Sequence, residues 1–247
     1  MAKMRPWRLL ARFWQEKSKV VDETGDAQDK MARTSMANFL SSGPHTARNH
    51  ILLAHGAGAP ITSPFMEAVA GVLATGGIRV HRFEFEYMSA RRTGGTRKPP
   101  PKAELLAPYY RNAVQLWTEK RPPGARLFIG GKSMGGRVAS LVAGDLHRAG
   151  TVGGLLCLGY PFHPPGKPDQ LRTAHLLNLD CPALIVQGTH DPFGTQAEIA
   201  SYALPRSISF HWVAQGNHDL TPPARSGRSF NQEIKTIAAA IIQFAGR

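Results

Sequence analysis

The residues best suited to chemistry lie at 131–135, where the sequence reads Gly-Lys-Ser-Met-Gly. The central serine, Ser133, has a glycine two residues before it and another two residues after it, and an apolar run at 127–129 precedes the motif. A serine in this pattern, between a strand and a helix, occupies a turn so sharp that only small side chains fit beside it, and the turn exposes the hydroxyl. The pattern therefore predicts that Ser133 is a nucleophile.

A serine hydroxyl is a weak nucleophile at neutral pH, so this interpretation requires a base and a carboxylate that orients the base. Asp191 and His218 each follow a later apolar run, in the chain order serine, aspartate, histidine. We expect His218 to take the proton from Ser133 and Asp191 to orient the imidazole. His190 is the next candidate for the base, and Asp219 is the rival for the acid.

Acyl transfer also needs N–H donors for the negative charge that develops on the carbonyl oxygen. The amide of Met134 directly follows the serine, and the amide of Ala57 lies in a His-Gly-Ala-Gly turn after an early apolar run. We expect these two amides to form the oxyanion hole. The competing interpretation of the 131–135 motif is a phosphate-binding P-loop, which requires a glycine where Arg126 stands.

Four further side chains are candidates for contacts with a substrate. His55 begins the early His-Gly-Ala-Gly turn, and His163 lies in a proline-rich segment after another apolar run. Arg91 and Arg92 belong to a basic segment at 90–102 that is rich in glycine and proline, and we expect this segment to form a loop. The two arginines would favour an anionic substrate; the alternative is a solvated basic loop with no role in binding.

The rest of the pattern alternates short apolar runs, typical of strands, with amphipathic stretches, typical of helices. Strands are predicted at 50–54, 78–85, 126–129, 154–159, 183–187 and 209–213, and helices at 64–74, 103–120, 135–147 and 232–244. This alternation indicates an α/β fold whose mostly parallel sheet is covered by helices on both faces. Ligands bind such sheets at the carboxyl ends of the strands, which is where Ser133, Asp191 and His218 are predicted to lie.

Length and composition fit a single α/β domain. The 247 residues carry a formal net charge of +13, but the basic residues are spread along the chain without an aromatic-interleaved basic module, so no specific nucleic-acid partner is expected. The two cysteines, Cys157 and Cys181, adjoin apolar runs and are predicted to be buried thiols. No apolar run approaches the roughly 20 residues of a transmembrane helix. We expect a cytoplasmic protein, and the sequence indicates no oligomeric state.

The beginning of the chain differs in composition from the remainder. Residues 1–45 are basic and polar and end in a Ser-Ser-Gly-Pro stretch, so we expect a poorly ordered N-terminal extension followed by one domain at 46–247. A basic amphipathic helix at 5–19 that anchors the chain to a surface is the alternative for part of this extension.

Five longer segments carry a resemblance to known proteins, at 54–60, 83–88, 130–137, 158–168 and 187–194. They resemble a small bacterial α/β-hydrolase family related to dienelactone-hydrolase-like proteins and to the hydrolase-like subunit of the eukaryotic NSL histone-acetyltransferase complex. The resemblance implies the α/β-hydrolase fold and a triad of Ser133, Asp191 and His218. Residues 1–35 have no counterpart in the family, and the segment 216–219 reads Gly-Asn-His-Asp where the family has Gly-Asp-His-Ser.

Taken together, these patterns predict a serine hydrolase that cleaves an ester or related acyl bond of a small-molecule substrate through an acyl-enzyme intermediate. The chemistry requires neither a metal nor a cofactor, because water resolves the acyl-enzyme. The alternative is a non-catalytic interaction module on the same scaffold, since the eukaryotic relative is a subunit of a complex and a fold does not determine a function.

Overall fold

The computed structural model of the chain describes residues 39–92, 94 and 99–246. Its strands are β1 (Leu40–Ser42), β2 (Asn49–Ala54), β3 (Arg79–Phe83), β4 (Arg126–Lys132), β5 (Gly154–Leu158), β6 (Ala183–Gly188) and β7 (Ile208–Val213). Its α-helices are α1 (Pro64–Thr75), α2 (Glu86–Arg92), α3 (Ala103–Glu119), α4 (Met134–Arg148), α5 (Gln196–Ile199) and α6 (Phe230–Ala245), and short 3₁₀ turns lie at Ala174–Leu176 and Ala224–Ser226.

The seven strands form one sheet in the order β1-β3-β2-β4-β5-β6-β7. Strand β1 runs antiparallel to β3, and every other neighbouring pair is parallel. Parallel neighbours require crossover connections, which the helices supply. The predicted α/β fold with a mostly parallel sheet and flanking helices is confirmed, and the carboxyl ends of β2, β4, β5, β6 and β7 therefore meet along one edge.

Helices cover both faces of the sheet, which is why its central strands are apolar at successive positions rather than at alternate ones. On one face α1 packs against α6, and their apolar residues form one core cluster with Ile51, Leu53 and Phe128 from the sheet. On the other face α3 packs against α4. There the Tyr110 hydroxyl donates to the carbonyl of Leu52 at 2.7 Å, so a helix side chain also satisfies buried polar groups of the sheet.

The start of the sheet corrects the predicted domain boundary. Strand β1 at Leu40–Ser42 lies inside the segment predicted as an N-terminal extension, yet it pairs with β3, and the Ser41 hydroxyl lies 2.8 Å from Nδ1 of His81. The sequence did not indicate this strand because it is only three residues long and Leu40 is 40% exposed, so no periodic pattern exists. Residues 1–38 of the predicted extension lie outside the described residues.

The buried-thiol prediction is confirmed, because Cys157 and Cys181 are both buried and unpaired with each other. Burial raises the pKa of Cys157 well above its usual value and that of Cys181 to about 12, so both thiols remain protonated and unreactive at neutral pH. As for the bilayer, every helix in the described ranges is too short or too polar to cross it.

Candidate active site

Ser133 occupies the turn between β4 and α4 in a conformation that few non-glycine residues adopt. Its φ is 50° and its ψ is −114°, outside the usual regions for an L-residue. Such a backbone costs about 1–3 kcal/mol and persists only where the surroundings hold it. Here the Ser133 N–H donates to the Leu158 carbonyl at 2.9 Å, and the Ser133 carbonyl accepts from the Arg137 N–H at 3.0 Å.

The two glycines of the motif are required by how closely α4 approaches the sheet. A Cβ added at Gly131 would lie 2.8 Å from the carbonyl carbon of Gly135, in the first turn of α4. A Cβ added at Gly135 would lie 2.5 Å from the carbonyl oxygens of both Ala54 and His55. Because atoms cannot approach that closely, only glycine allows α4 to start directly over the end of β2. This contact explains the spacing of the glycines around Ser133.

The structure brings Ser133, His218 and Asp191 together at the edge where the strands end. Nε2 of His218 lies 2.7 Å from the Ser133 hydroxyl oxygen, and Nδ1 of His218 lies 2.8 Å from Oδ2 of Asp191. The carboxylate can only accept, so Nδ1 carries the hydrogen and Nε2 presents its lone pair to the Ser133 hydroxyl. The three groups thus form one continuous chain of hydrogen bonds in which the serine proton can move to the imidazole.

The carboxylate of Asp191 is fully buried, and its surroundings compensate for that burial. Besides His218, Oδ2 accepts from the Gln187 side-chain amide at 2.9 Å, and Oδ1 accepts from the Phe193 N–H at 2.8 Å. The Gln187 amide is itself fixed, because its oxygen accepts from the Tyr160 N–H at 2.7 Å. Three N–H donors therefore hold the carboxylate in one orientation and stabilise its negative charge.

His218 is held from two sides. The Phe193 ring lies over the imidazole with ring centroids 4.1 Å apart, and the Lys132 ammonium donates to the His218 backbone carbonyl at 2.8 Å. Burial lowers the pKa of Lys132, against the opposing effect of the Asp219 carboxylate 3.5 Å away. Asp219, the rival acid, is 77% exposed and contacts this lysine, while the rival base His190 is exposed.

Both predicted oxyanion donors lie in the wall of the same cavity as Ser133. Met134 is the first residue of α4, and the first amides of a helix have no acceptor within the helix, so its N–H is available to a ligand. The helix dipole adds positive potential at this end. The Ala57 carbonyl accepts from the Tyr87 hydroxyl at 3.2 Å and from Arg91 at 3.3 Å, which fixes the conformation of the turn that carries the Ala57 amide.

The cavity in front of Ser133 has a volume of about 1010 Å³, enough for a small-molecule substrate. Most of its wall is apolar, with proline, leucine, methionine and phenylalanine side chains, and four charged side chains interrupt that wall. The lining residues are Ala57, Pro100, Pro101, Lys102, Ala103, Glu104, Leu105, Ser133, Met134, Arg137, Pro161, Arg172 and Phe193.

Two of the predicted substrate-binding residues are buried beneath the site instead of lining it, which corrects the prediction for them. His55 is fully buried: its Nδ1 donates to the Gly56 carbonyl at 2.6 Å, and its Nε2 accepts from the Phe85 N–H at 3.1 Å. Burial lowers the pKa of His55, so the ring is neutral, as both contacts require. His163 is 2% exposed, and its Nδ1 donates to the Pro164 carbonyl at 2.9 Å. Both imidazoles shape loops of the site.

The other two predicted substrate-binding residues lie on α2 and not in a loop. Arg91 stacks on the Tyr87 ring at 5.1 Å from the centroid and donates to the Ala57 carbonyl, so it supports the turn beside Ser133. Arg92 ends α2, and its side chain lies outside the described part of the structure. Glu86 is the first residue of this helix, and the sequence pattern assigned part of the segment to a loop because a charged helix of seven residues carries no apolar stripe.

Four residues that the structure brings to the site were not predicted from the sequence. Lys132 lies inside the glycine motif, and its place between a strand and a nucleophile was a signal that it is buried. Gln187 is the one polar residue of an apolar strand, a pattern that indicates a buried amide with specific partners. Arg137 and Arg172 line the cavity, but no sequence spacing relates these two residues.

The fold is shared with known proteins. The family model described as "Alpha/beta hydrolase domain" matches residues 47–246. A dienelactone hydrolase from Anabaena variabilis is 23% identical, with a TM-score of 0.60 over 83% of this chain and 88% of that one. An α/β serine hydrolase homologue from Coxiella burnetii is 16% identical, with a TM-score of 0.60 over 83% and 89%.

A further similar structure is an α/β serine hydrolase without a lid from Xanthomonas campestris, which is 16% identical and has a TM-score of 0.59 over 84% of this chain and 87% of that one. At these identities the similarity to solved structures shows the fold, whereas the family match extends over most of the sequence. The chain belongs to the α/β-hydrolase domain family.

Proposed function

We propose that the protein is a serine hydrolase that cleaves a carboxylic ester or a related acyl bond of a small molecule. The observation that carries the proposal is the hydrogen-bonded chain from buried Asp191 through His218 to Ser133. A nucleophile in a strained turn, a base within 2.7 Å and a buried carboxylate behind the base are the parts that acyl transfer through serine needs. Family membership supports hydrolase activity in general terms.

In the first half of this reaction, the Ser133 oxygen attacks the substrate carbonyl while its proton passes to Nε2 of His218. Asp191 stabilises the resulting imidazolium and keeps its ring in place. The carbonyl oxygen becomes negatively charged and is bound by the N–H groups of Met134 and Ala57. When the tetrahedral intermediate collapses, His218 returns the proton to the leaving alcohol and the acyl group remains on the serine.

In the second half, water replaces the alcohol. His218 takes a proton from the water, whose oxygen attacks the acyl carbonyl, and the same two N–H groups bind the new oxyanion. Collapse of this intermediate releases the carboxylic acid and returns the proton to Ser133. Every proton transfer thus runs through one imidazole, and the steps use only these side chains, the two backbone N–H groups and water.

The proposal is tested by steady-state hydrolysis of 4-nitrophenyl esters with short and long acyl chains. We expect the wild type to hydrolyse at least one of them and Ser133→Ala to reduce kcat by roughly 10³-fold or more. Ser201→Ala is the matched control, because Ser201 is exposed and its hydroxyl donates only to a backbone carbonyl of its own turn. Equal rates for wild type and Ser133→Ala would refute the proposal.

The alternative is an interaction module that has the scaffold without the chemistry, which the resemblance to the NSL subunit suggests. A module of this kind has no need for a buried carboxylate aligned with a histidine and a strained serine, since each of these features costs folding free energy. Absence of turnover of every ester, together with a Ser133→Ala variant as stable as the wild type, would favour the interaction module.

A further inference from the structure

The cavity in front of Ser133 has an excess of positive charge within a wall that is otherwise apolar. Among the described residues its charged lining consists of three cations, Lys102, Arg137 and Arg172, and one carboxylate, Glu104, which sum to two net positive charges. An apolar wall excludes water and strengthens the field of such charges. A cavity adapted only to neutral aliphatic esters has no use for this arrangement.

Arg137 lies close to the nucleophile and is only partly neutralised. It follows Ser133 by four residues on α4, so its Cα stands about 6 Å farther along the helix axis. Its side chain is 18% exposed and contacts Oε1 of Glu104 at 2.5 Å. Its Nε is buried and has no hydrogen-bond partner among the described residues. Among the described residues, one exposed carboxylate therefore contacts a guanidinium that carries five N–H groups.

Arg172 lies in the same cavity on a different segment, and its backbone is firmly anchored. Its N–H donates to the Phe162 carbonyl at 2.7 Å, and its carbonyl accepts from the Tyr160 hydroxyl at 2.9 Å. Within the described ranges it makes no ion pair with a carboxylate. Burial, followed by the charge of Arg137, lowers the pKa of Arg172, which means that the two guanidinium groups repel each other across the cavity.

We propose that Arg172 and Arg137 bind an anionic group, a carboxylate or a phosphate, on the acyl part of the substrate while Ser133 attacks the ester carbonyl. This inference rests on the proposed function and specifies its substrate class as the ester of an acid that carries a second negative charge. A bound anion would offset the repulsion between the arginines, and guanidinium groups bind both kinds of anion through paired hydrogen bonds.

The test compares three 4-nitrophenyl esters of similar chain length: the neutral hexanoate, the adipate monoester and the 5-phosphonopentanoate. We expect kcat/KM for at least one anionic ester to exceed that of the hexanoate by roughly 10- to 100-fold, the range expected for hydrogen bonds to a charged group. The faster of the two anionic esters identifies the preferred anion. A hexanoate that is hydrolysed as fast as both anionic esters would overturn the inference.

Variants separate recognition of the anion from the chemistry. Arg172→Met should lower the ratio of kcat/KM for the preferred anionic ester to kcat/KM for the hexanoate by at least about tenfold, because only the anionic ester loses a charged partner. Arg111→Met is the matched control, since Arg111 pairs with Asp145 on the exposed surface outside the cavity. Equal losses for the charged and neutral esters in Arg172→Met would mean a structural role and would overturn the inference.

The outcomes also distinguish this inference from the proposed function. Hydrolysis that depends on Ser133 but shows no preference for an anion leaves the serine hydrolase intact and removes the substrate class. Absence of hydrolysis of all three esters removes both.

Discussion

Replacement of Asp191 by asparagine tests the hydrogen-bonded chain at its most buried point. The two carboxylate oxygens accept from three donors: His218 and Gln187 at Oδ2, and the Phe193 N–H at Oδ1. An asparagine side chain has one oxygen and one NH₂ group, so it cannot accept at both positions. The Gln187 amide cannot turn to compensate without losing its hydrogen bond from the Tyr160 N–H.

Each orientation of the new amide has a definite cost. With its NH₂ toward Phe193, one buried N–H loses its acceptor, and the free energy of unfolding falls by about 1–3 kcal/mol. With its NH₂ toward His218, the asparagine amide presents a donor to the Gln187 NH₂ as well as to the imidazole. The imidazole must then accept at Nδ1 and carry its hydrogen on Nε2, and this tautomer cannot accept the proton of Ser133. In both orientations the negative charge that stabilises the imidazolium is gone. We therefore expect kcat of Asp191→Asn to fall by between about 10² and 10⁴, the upper figure being that of the same change in serine proteases.

The assay is ester hydrolysis by Asp191→Asn beside urea unfolding of the same protein. Asp219→Asn is the matched control, because an exposed ion pair contributes about 0–1 kcal/mol and its loss should change kcat by no more than about fivefold. The role assigned to Asp191 is refuted if Asp191→Asn keeps more than a tenth of the wild-type kcat, or if Asp219→Asn has the larger effect.

Three further predictions concern the supports of the site and of the sheet. Burial, and next the charge of its neighbour His50, lowers the pKa of His81 from 6.5 to about 4, so between these two pH values the unfolded chain binds a proton that the folded protein does not. The contribution of His81 to the free energy of unfolding is therefore fully present above about pH 6.5, and about 3 kcal/mol of it is lost by pH 4. His81→Gln should remove this loss when urea unfolding is compared at the two pH values. Lys132→Met removes a charged donor from the His218 carbonyl. We expect this change to reduce either the transition-state stabilisation calculated from kcat/KM or the free energy of unfolding by about 1.5–3 kcal/mol. Wild-type values of both quantities would contradict the role of Lys132 in holding His218. Gly135→Ala should lower the free energy of unfolding by about 1–3 kcal/mol, because the new methyl group clashes with two carbonyl oxygens. Gly71→Ala is the control on an open helix surface and should raise the free energy of unfolding by about 0.5–1 kcal/mol. Equal effects of the two substitutions would contradict the close approach of α4 to the sheet.

The fold of this protein could be predicted from its sequence, because strands that are buried on both faces of a parallel sheet are apolar at successive positions. Strands β2, β4, β5 and β6 contain nearly continuous apolar runs, the runs of β3 and β7 are interrupted by polar residues, and the predicted positions of all six agree with the structure to within about two or three residues. Ser133, Asp191 and His218 were identified because each directly follows one of these runs, so fold topology alone brings them to one edge. Strand β1 was missed because its pairing with β3 leaves no mark in three half-exposed residues.

The surroundings of the site could not be predicted, because they depend on contacts between loops. His55 appeared suited to substrate binding, but its Nε2 accepts from the N–H of Phe85, thirty residues later, and that contact buries it. Arg172 and Arg137 lie in separate segments whose approach depends on how the 160–176 region folds over α4. Hydrophobic periodicity predicts which face of a helix or strand is buried, but it does not predict against which element a long loop packs.

The most direct test of the central claim is to locate a covalent adduct. The protein is treated with a fluorophosphonate, digested, and the modified peptide is identified by mass spectrometry, with His218→Ala treated in parallel. We expect one phosphonylated residue, Ser133, and modification slowed by at least about 10²-fold in His218→Ala, because the serine then lacks its base. An adduct on another residue, or equal rates of modification in the two proteins, would contradict that claim.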